Sequence, residues 1–200
     1  MRHPFFIGLL LFAPLFPLMA QNGAGKSIVE ATVGFGNLYY GGRFYEHRCP
    51  PVMLSYEQSI LTNAFHLNGF SLNAGLTAAY TGASTNTQYG KAELVSTVSE
   101  GILALRATGY YHIPLPELSR MDVYAVTLLG WSFTGSKNTW SGNPNDIALA
   151  KTLGGEKEKV SGPMLGLLAG AQYWFSDYYG ACIEIGYAPA FLNIGGFVAW

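Results

Sequence analysis

Apolar side chains recur at every second residue through the segment Ser161–Trp200. In residues 180–187, for example, one face is apolar and consists of Ala181, Ile183, Ile185 and Tyr187. Alternation with a period of two is typical of β-strands, because successive side chains of a strand point to opposite faces. The ranges 164–175, 180–187 and 191–200 are therefore predicted to be three strands joined by tight turns.

The third of these strands runs to Trp200, so an aromatic residue ends the alternating pattern. Such a strand suits a closed sheet, in which the last strand pairs with the first and no edge stays unpaired. The same alternation predicts five earlier strands, at 28–36, 52–60, 70–80, 102–112 and 122–133. Strands of about 9–11 residues have the length that a tilted membrane strand needs. We therefore predict an all-β fold, an eight-stranded antiparallel up-and-down transmembrane β-barrel.

The composition agrees with a barrel and excludes one class of partner. Of the 200 residues, 50% are hydrophobic and only 12% are charged, whereas about 25% is usual for the charged share. The formal net charge is −1, so the chain lacks the basic surface on which nucleic acid binds. A chain of this length is expected to form one domain.

The first part of the chain is predicted to be a secretory signal peptide, residues 1–20, that is cleaved. It begins with the basic residue Arg2, continues with an apolar stretch that Pro14 and Pro17 interrupt, and ends at the small residue Ala20. These are the parts of a signal peptide, and the apolar stretch is short for a membrane helix. The barrel domain is then residues 21–200, and no later stretch has 18 uninterrupted apolar residues, so membrane insertion would require strands.

The predicted connections differ in length. The long ones are 37–51, 81–101 and 134–162, and the short ones are 61–69, 113–121, 176–179 and 188–190. We expect 81–101 to be a Ser/Thr-rich loop. Outer-membrane barrels have long loops outside the cell and short turns in the periplasm, so both termini are expected to lie on the periplasmic side.

In a membrane barrel the apolar face of each strand contacts the lipid, and the other face points into the barrel. Charged residues opposite the apolar faces are Glu30, Glu57, Arg106 and Glu184. We expect Arg106 to pair with Glu184 and with Glu57 or Glu30, because an isolated charge in a low-dielectric interior is unfavourable. The cluster could be a gate or a proton site. A structural plug of hydrogen-bonded side chains is favoured, since eight strands leave little room for a channel.

Aromatic residues near the strand ends indicate two interfacial girdles. The inner girdle comprises Tyr111, Phe175, Tyr178, Tyr179 and Trp200, and the outer one comprises Tyr39, Tyr80, Trp131 and Tyr187.

No cofactor, metal or catalytic residues are expected. His47 and Cys49 offer two potential ligands in a loop, fewer than structural zinc needs. His66 and His112 lie near predicted periplasmic turns without a serine close in sequence, although a triad can assemble from distant residues. Cys49 is expected in a loop and Cys182 inside the barrel, too far apart to favour a disulfide.

Two sets of residues resemble the small, OmpA-like outer-membrane β-barrel family of Gram-negative bacteria. Asn193, Gly195, Val198 and Trp200 occupy the places of its C-terminal assembly signal, with Trp where Phe is usual. The remaining similarity lies in 50–57, 106–112, 122–125, 173–177 and 183–187. The resemblance implies an outer-membrane location among its lipids, recognition of the last strand by the barrel-assembly machinery, and no catalytic residues.

The sequence thus favours a non-enzymatic, monomeric outer-membrane barrel. Its long loops are expected to serve envelope structure or surface interaction, and the sequence does not identify the extracellular partner. Two alternatives stay open. One is an enzyme that modifies outer-membrane lipids, and the other is a soluble, lipocalin-like barrel that binds an apolar ligand.

Overall fold

The computed structural model describes residues 27–37, 46–62, 64, 69–89, 91–144, 147–148 and 161–200. The predicted signal peptide, His66 and Tyr39 lie outside these residues.

Eight strands form one closed sheet. They are β1 Ser27–Asn37, β2 Glu46–Thr62, β3 Phe70–Tyr89, β4 Ala92–His112, β5 Met121–Ser141, β6 Gly162–Trp174, β7 Tyr179–Tyr187 and β8 Ala190–Ala199. Each strand pairs antiparallel with the next, and β8 pairs antiparallel with β1. A short 3-10 turn, Pro116–Leu118, connects β4 to β5. The predicted eight-stranded antiparallel barrel is confirmed.

The seam between the first and last strands is fully hydrogen-bonded at its end. Ser27 N donates to Trp200 O at 2.9 Å, and Trp200 N donates to Ser27 O at 3.1 Å. This end, at which the described chain enters and leaves the barrel, is called the terminal end below. The opposite end, where β3 turns into β4, is called the hairpin end.

The predictions for all three long connections, 37–51, 81–101 and 134–162, are wrong in part. Residues 81–101 are mostly strand, because β3 and β4 continue as a ladder down to the pair Tyr89↔Ala92. β5 extends the same sheet as far as Ser141, which pairs with Glu93. Thr and Val in this segment favour strands, and Ala83, Ala92 and Val98 are buried. The polarity of the remaining side chains therefore indicates a position beyond the membrane rather than a loop. Similarly, β2 begins at Glu46, so Cys49 lies in a strand.

The two faces of the sheet differ as predicted. On β4, Leu105 is 62% exposed while its neighbour Arg106 is 1% exposed. On β5, where both faces are apolar, Leu129 is 60% exposed and Leu128 is fully buried. The outward band is thus apolar around the barrel, which is the distribution that lipid requires. Among the described residues, no helix is both long enough and apolar enough to cross a membrane.

The predicted girdle residues lie at the two ends of this band with their rings exposed. At the terminal end they are Tyr111, Phe175, Tyr178, Tyr179 and Trp200, and toward the hairpin end they are Tyr80, Trp131 and Tyr187.

Candidate functional site

The four charged residues predicted to face inward meet in the middle of the barrel. Arg106 on β4 lies between three carboxylates that come from β1, β2 and β7. Its Nη2 lies 2.8 Å from Glu184 Oε1 and 3.7 Å from Glu30 Oε1, and its Nε donates to Glu57 Oε1. All four residues are at most 2% exposed. The guanidinium therefore bridges opposite walls of the barrel, which its fork of donors permits.

Two glycines make these contacts possible. Gly75 on β3 stands directly between Glu57 on β2 and Arg106 on β4 in the strand register. Gly170 on β6 stands in the same way between Tyr124 on β5 and Glu184 on β7. Because glycine has no side chain, each middle strand leaves space through which the outer two residues can touch. A Cβ on Gly170 would collide with the ring of Tyr124.

Hydroxyl groups complete the cluster. Tyr110 Oη donates to Glu57 Oε2 at 3.3 Å, and Tyr124 Oη donates to Glu184 Oε1 at 3.3 Å. Ser55 Oγ accepts from Arg106 Nη1 at 3.4 Å and contacts Thr77 Oγ1 at 2.9 Å. The two tyrosine rings pack against each other with their centroids 4.9 Å apart. These contacts fix the rotamers of the charged side chains.

The acids in the cluster outnumber the bases. Three carboxylates face one guanidinium, so the four groups would carry a formal charge of −2 if all were ionised. Within the described part of the chain, both oxygens of Glu30 and Oε2 of Glu184 lack a hydrogen-bond partner. Glu30 is thus the carboxylate that Arg106 holds least closely.

An apolar layer lies on the hairpin side of Arg106. It consists of the buried residues Met53, Ala79, Ile102, Ala104 and Met164, and Leu128, which pairs with Arg106, adjoins it. On the other side of the cluster, a cavity of about 480 Å³ opens toward the terminal end. The two sides of the cluster therefore differ, with buried side chains on the hairpin side and an open cavity on the terminal side.

The cavity contains a hydrogen-bonded group that sequence reasoning missed. Asp122 Oδ1 contacts His112 Nδ1 at 2.7 Å, while Asp122 Oδ2 accepts from Gln172 Nε2 at 2.8 Å and from Trp174 Nε1 at 2.7 Å. His112 and Asp122 are paired across the β4–β5 hairpin. A His at the end of one strand and an Asp at the start of the next is a signal that could have found this pair.

The four residues of the predicted C-terminal signal divide between the two faces of β8. Val198 and Trp200 are 51% and 64% exposed on the outside, while Asn193 is buried inside. Gly195 packs so closely against β1 that a Cβ there would overlap the backbone of Ala31.

The structure describes Cys49 and Cys182 as free thiols, and Cys182 is buried inside the barrel as predicted. No group of three or more metal-ligating side chains occurs among the residues that are described.

An antiparallel closed sheet with an apolar outside and a charged inside defines the class: an eight-stranded transmembrane β-barrel. No family model matches the chain, and no curated protein matches it in sequence. Among solved structures, it is similar to Ail, the attachment invasion locus protein of Yersinia pestis, in complex with the heparin analogue sucrose octasulfate (12% identity, 88% of this chain and 95% of that one, TM-score 0.42). It is also similar to the outer membrane protein OprG of Pseudomonas aeruginosa (10% identity, 88% and 96%, TM-score 0.39) and to the KdgM porin (10% identity, 87% and 98%, TM-score 0.23).

Substituting Gly75 with alanine should destabilise the barrel by about 1–3 kcal/mol, the usual effect of overpacking. A Cβ at this position would overlap the backbone of Tyr56 and Glu57, which cannot move without disturbing the β2–β3 pairing. The matched control is Gly101→Ala, because a Cβ at Gly101 meets no atom within 4 Å. Unfolding of both variants in detergent, followed by tryptophan fluorescence, measures the difference. Equal stabilities would contradict the role assigned to Gly75.

Proposed function

We propose that this protein is a non-enzymatic barrel of the outer membrane of a Gram-negative bacterium, which presents a rigid sheet at the cell surface for envelope structure or surface interaction. The observation that carries the proposal is the length of three adjacent strands. β3, β4 and β5 have 20, 21 and 21 residues, whereas a membrane strand needs about 9–11.

The extra residues continue the barrel wall outward. From Thr81 to Tyr89, β3 adds nine residues beyond the predicted span, which at about 3.3 Å per residue reach roughly 30 Å along the strand. Side-chain bonds reinforce the extension, since Glu93 accepts from Asn86 Nδ2 at 2.5 Å and from Ser141 Oγ at 3.3 Å. A hydrogen-bonded sheet of this kind presents a partner with a fixed surface, so binding would not require a flexible loop to become ordered.

The interior supports a plugged barrel rather than a pore. The charged cluster and the apolar layer on its hairpin side consist of side chains that are nearly inaccessible to solvent. A soluble barrel that binds an apolar ligand needs the reverse arrangement, with apolar walls inside and polar residues outside. The enzyme alternative is tested by incubating the purified protein in lipopolysaccharide-containing micelles, where we expect no release of acyl chains.

The orientation can be tested with an epitope inserted at two sites. A tag inserted directly before Lys91, at the tip of the β3–β4 hairpin, should bind antibody on intact cells. The same tag in the Pro116–Leu118 turn should bind only after the outer membrane is permeabilised. Fractionation and a heat-modifiability gel first establish that each tagged protein is folded in the outer membrane. Labelling of the turn on intact cells, or of the hairpin only after permeabilisation, would reject the proposal.

In planar bilayers the purified protein should show no steady conductance, because the cluster and the apolar layer fill the interior. A stable open channel in the wild-type protein would contradict the proposal that side chains plug the interior. It would not contradict the proposal that the extended strands form a sheet at the cell surface.

We further propose that the barrel-assembly machinery recognises β8. Trp200→Asp should then lower the outer-membrane level of the protein severalfold while export to the periplasm continues. The charge of an aspartate at position 200 would itself be unfavourable at the lipid interface. Phe191→Asp therefore serves as the control, because Phe191 lies at the other end of β8 and its ring is 57% exposed. Equal losses in the two variants would show that the position in β8 has no special role.

A further inference from the structure

Strand β5 has an open edge in its extension at the hairpin end. Its pairing with β6 ends at Ser132↔Gly162, whereas its pairing with β4 continues to Glu93↔Ser141 without a break in register. Residues 133–141 are therefore paired on one side only within the described part of the chain. At about 3.3 Å per residue they form an edge roughly 30 Å long.

The hydrogen-bond pattern identifies the backbone groups that lie on this edge. In an antiparallel ladder, alternate residues direct both their N–H and their C=O to the same neighbouring strand. Thr134 N donates at 3.0 Å to Oγ of Ser161, the residue before β6. Because the register of β5 is unbroken, Ser136 and Asn138 direct their backbone groups to the same side. No hydrogen bond from the described residues reaches these groups.

This edge is accessible and lacks the features that usually prevent pairing. Residues 135–137 and Thr139 are exposed. Proteins commonly protect open edges with proline, with β-bulges or with several charges. Residues 133–141, however, contain no proline and one charged residue, Lys137, and their pairing with β4 has no bulge. The side chains in 134–139 are polar, so water can solvate the edge when no partner is bound.

The charge at the edge favours an acidic partner. Lys137 lies on the outward face of β5, the face that also carries Leu129. Its neighbours on this face are Gly135 and Thr139 on β5 and Thr97 on β4, and none of them is charged. A carboxylate on a strand added beside β5 would be the direct cross-strand partner of Lys137, and opposite charges in such pairs stabilise a sheet.

We propose that the open edge of β5 binds a polypeptide segment in extended conformation, which adds a strand beside Ser136 and Asn138 and places an acidic side chain opposite Lys137. A polypeptide backbone offers N–H and C=O groups alternately at the spacing of a strand, so it can pair with both groups of each edge residue. The inference rests on the surface role proposed above, because the hairpin end must lie outside the cell to meet an external partner.

A second copy of the chain does not fit this edge in a symmetric dimer. Two barrels in one membrane have the same orientation, so their β5 strands would run in the same direction with Ser136 and Asn138 facing their own copies. In a parallel ladder, a residue that directs its groups to the partner lies opposite one that directs them away. The symmetric arrangement therefore leaves the edge groups unpaired.

The test uses the full barrel in detergent and the peptide Thr-Val-Thr-Glu-Thr-Val-Thr, which has blocked ends and a fluorophore at its amino end. Fluorescence anisotropy should show saturable binding with a dissociation constant of about 1 mM or below. In the proposed pairing, the threonines beside the glutamate direct their N–H groups to β5, while the valines direct theirs away. N-methylation of those two threonines should therefore weaken binding about tenfold or more, and N-methylation of the two valines should leave it unchanged.

Substitutions in β5 locate the binding edge. Ser136→Pro removes one edge N–H, and an edge strand accepts proline where the N–H faces solvent, so this variant should fold and bind the peptide about tenfold more weakly or worse. Ser136→Ala, which keeps the N–H, is the matched control and should bind like the wild type. Lys137→Glu should reverse the preference for the glutamate peptide over its lysine analogue, each by about threefold. A heat-modifiability gel shows that each variant is folded.

Three results would each overturn the proposal: no binding of the peptide, equal binding of its two methylated forms, or undiminished binding by Ser136→Pro. The second comparison uses the wild-type barrel, so it holds even if the proline variant does not fold. Dimerisation of the barrel that Ser136→Pro abolishes would assign the edge to a second copy instead. Binding in detergent does not depend on orientation in the membrane, so a failure here leaves the epitope-labelling test of the surface role unaffected.

Discussion

Replacing Arg106 with alanine is expected to lower the free energy of unfolding of the barrel by about 3–5 kcal/mol, the usual cost of breaking a buried ion pair from one side. The substitution removes the only positive charge among four buried groups and leaves Glu30, Glu57 and Glu184 facing one another. It also removes the group that joins β4 to the walls at β2 and β7. Repulsion and lost hydrogen bonds therefore act in the same direction.

A double-mutant cycle separates the pair from the rest of the cluster. Glu184→Gln should itself destabilise the barrel, because Glu184 Oε1 accepts both from Arg106 at 2.8 Å and from Tyr124 at 3.3 Å. In the Arg106→Ala background, however, the same change relieves repulsion. The double variant should therefore recover part of the loss, and unfolding in detergent measures all four corners of the cycle.

The matched control is Arg120→Ala. Arg120 is exposed and makes its hydrogen bond to a turn carbonyl, so its loss should change stability by no more than about 0.5 kcal/mol. Strictly additive losses for Arg106→Ala and Glu184→Gln would show that these two side chains do not interact.

The alternating pattern predicted which face each residue takes, and this was sufficient to place Arg106 and the three glutamates inside. Facing depends only on the period of two, which is local. Contacts across the barrel depend on register, and a shift of one residue would turn every side chain to the other face. That Gly75 lies between Glu57 and Arg106 follows from the register alone, and the sequence carries no local signal for it.

The loop predictions failed for a different physical reason. A contrast between apolar and polar faces reveals a strand where one face meets lipid, but this contrast disappears beyond the membrane. Thr85 and Ser96, which pair between β3 and β4, are polar, and the segment around them resembles a loop in sequence. Backbone pairing holds these residues in the sheet, together with burial of Ala83, Ala92 and Val98.

The cavity at the terminal end was missed because its parts come from distant strands. Ser59, Asn73 and Gln172 lie on β2, β3 and β6, and each alone is an ordinary inward polar residue. Only the closed sheet shows that these residues line one space. The pair His112 and Asp122 was nearer to prediction, since one hairpin connects them.

Leu105→Lys is expected to destabilise the barrel in lipid bilayers by about 2–4 kcal/mol, the cost of placing a lysine on the lipid face near the membrane midplane. Leu105 is the next residue along β4 from Arg106, on the opposite face, and it lies in register between Leu76 and Leu129. All three side chains are exposed, so in lipid the ammonium would lose its hydration without gaining a partner. The position also lies between the two girdles, because Tyr111 of the terminal-end girdle is further along β4 and Gly101, in the other direction, pairs with Tyr80 of the hairpin-end girdle.

The control places the same charge beyond the membrane. Thr139 is exposed on the extension of β5, and Thr139→Lys should change stability by about 0.5 kcal/mol or less. Both variants are unfolded with denaturant in phospholipid vesicles, and the wild type is measured in parallel. A barrel that stood in water would tolerate lysine equally at both positions, because each side chain would remain hydrated. Equal effects of the two substitutions would therefore contradict the lipid-facing assignment of the apolar band, and with it the membrane location, while leaving the barrel topology intact.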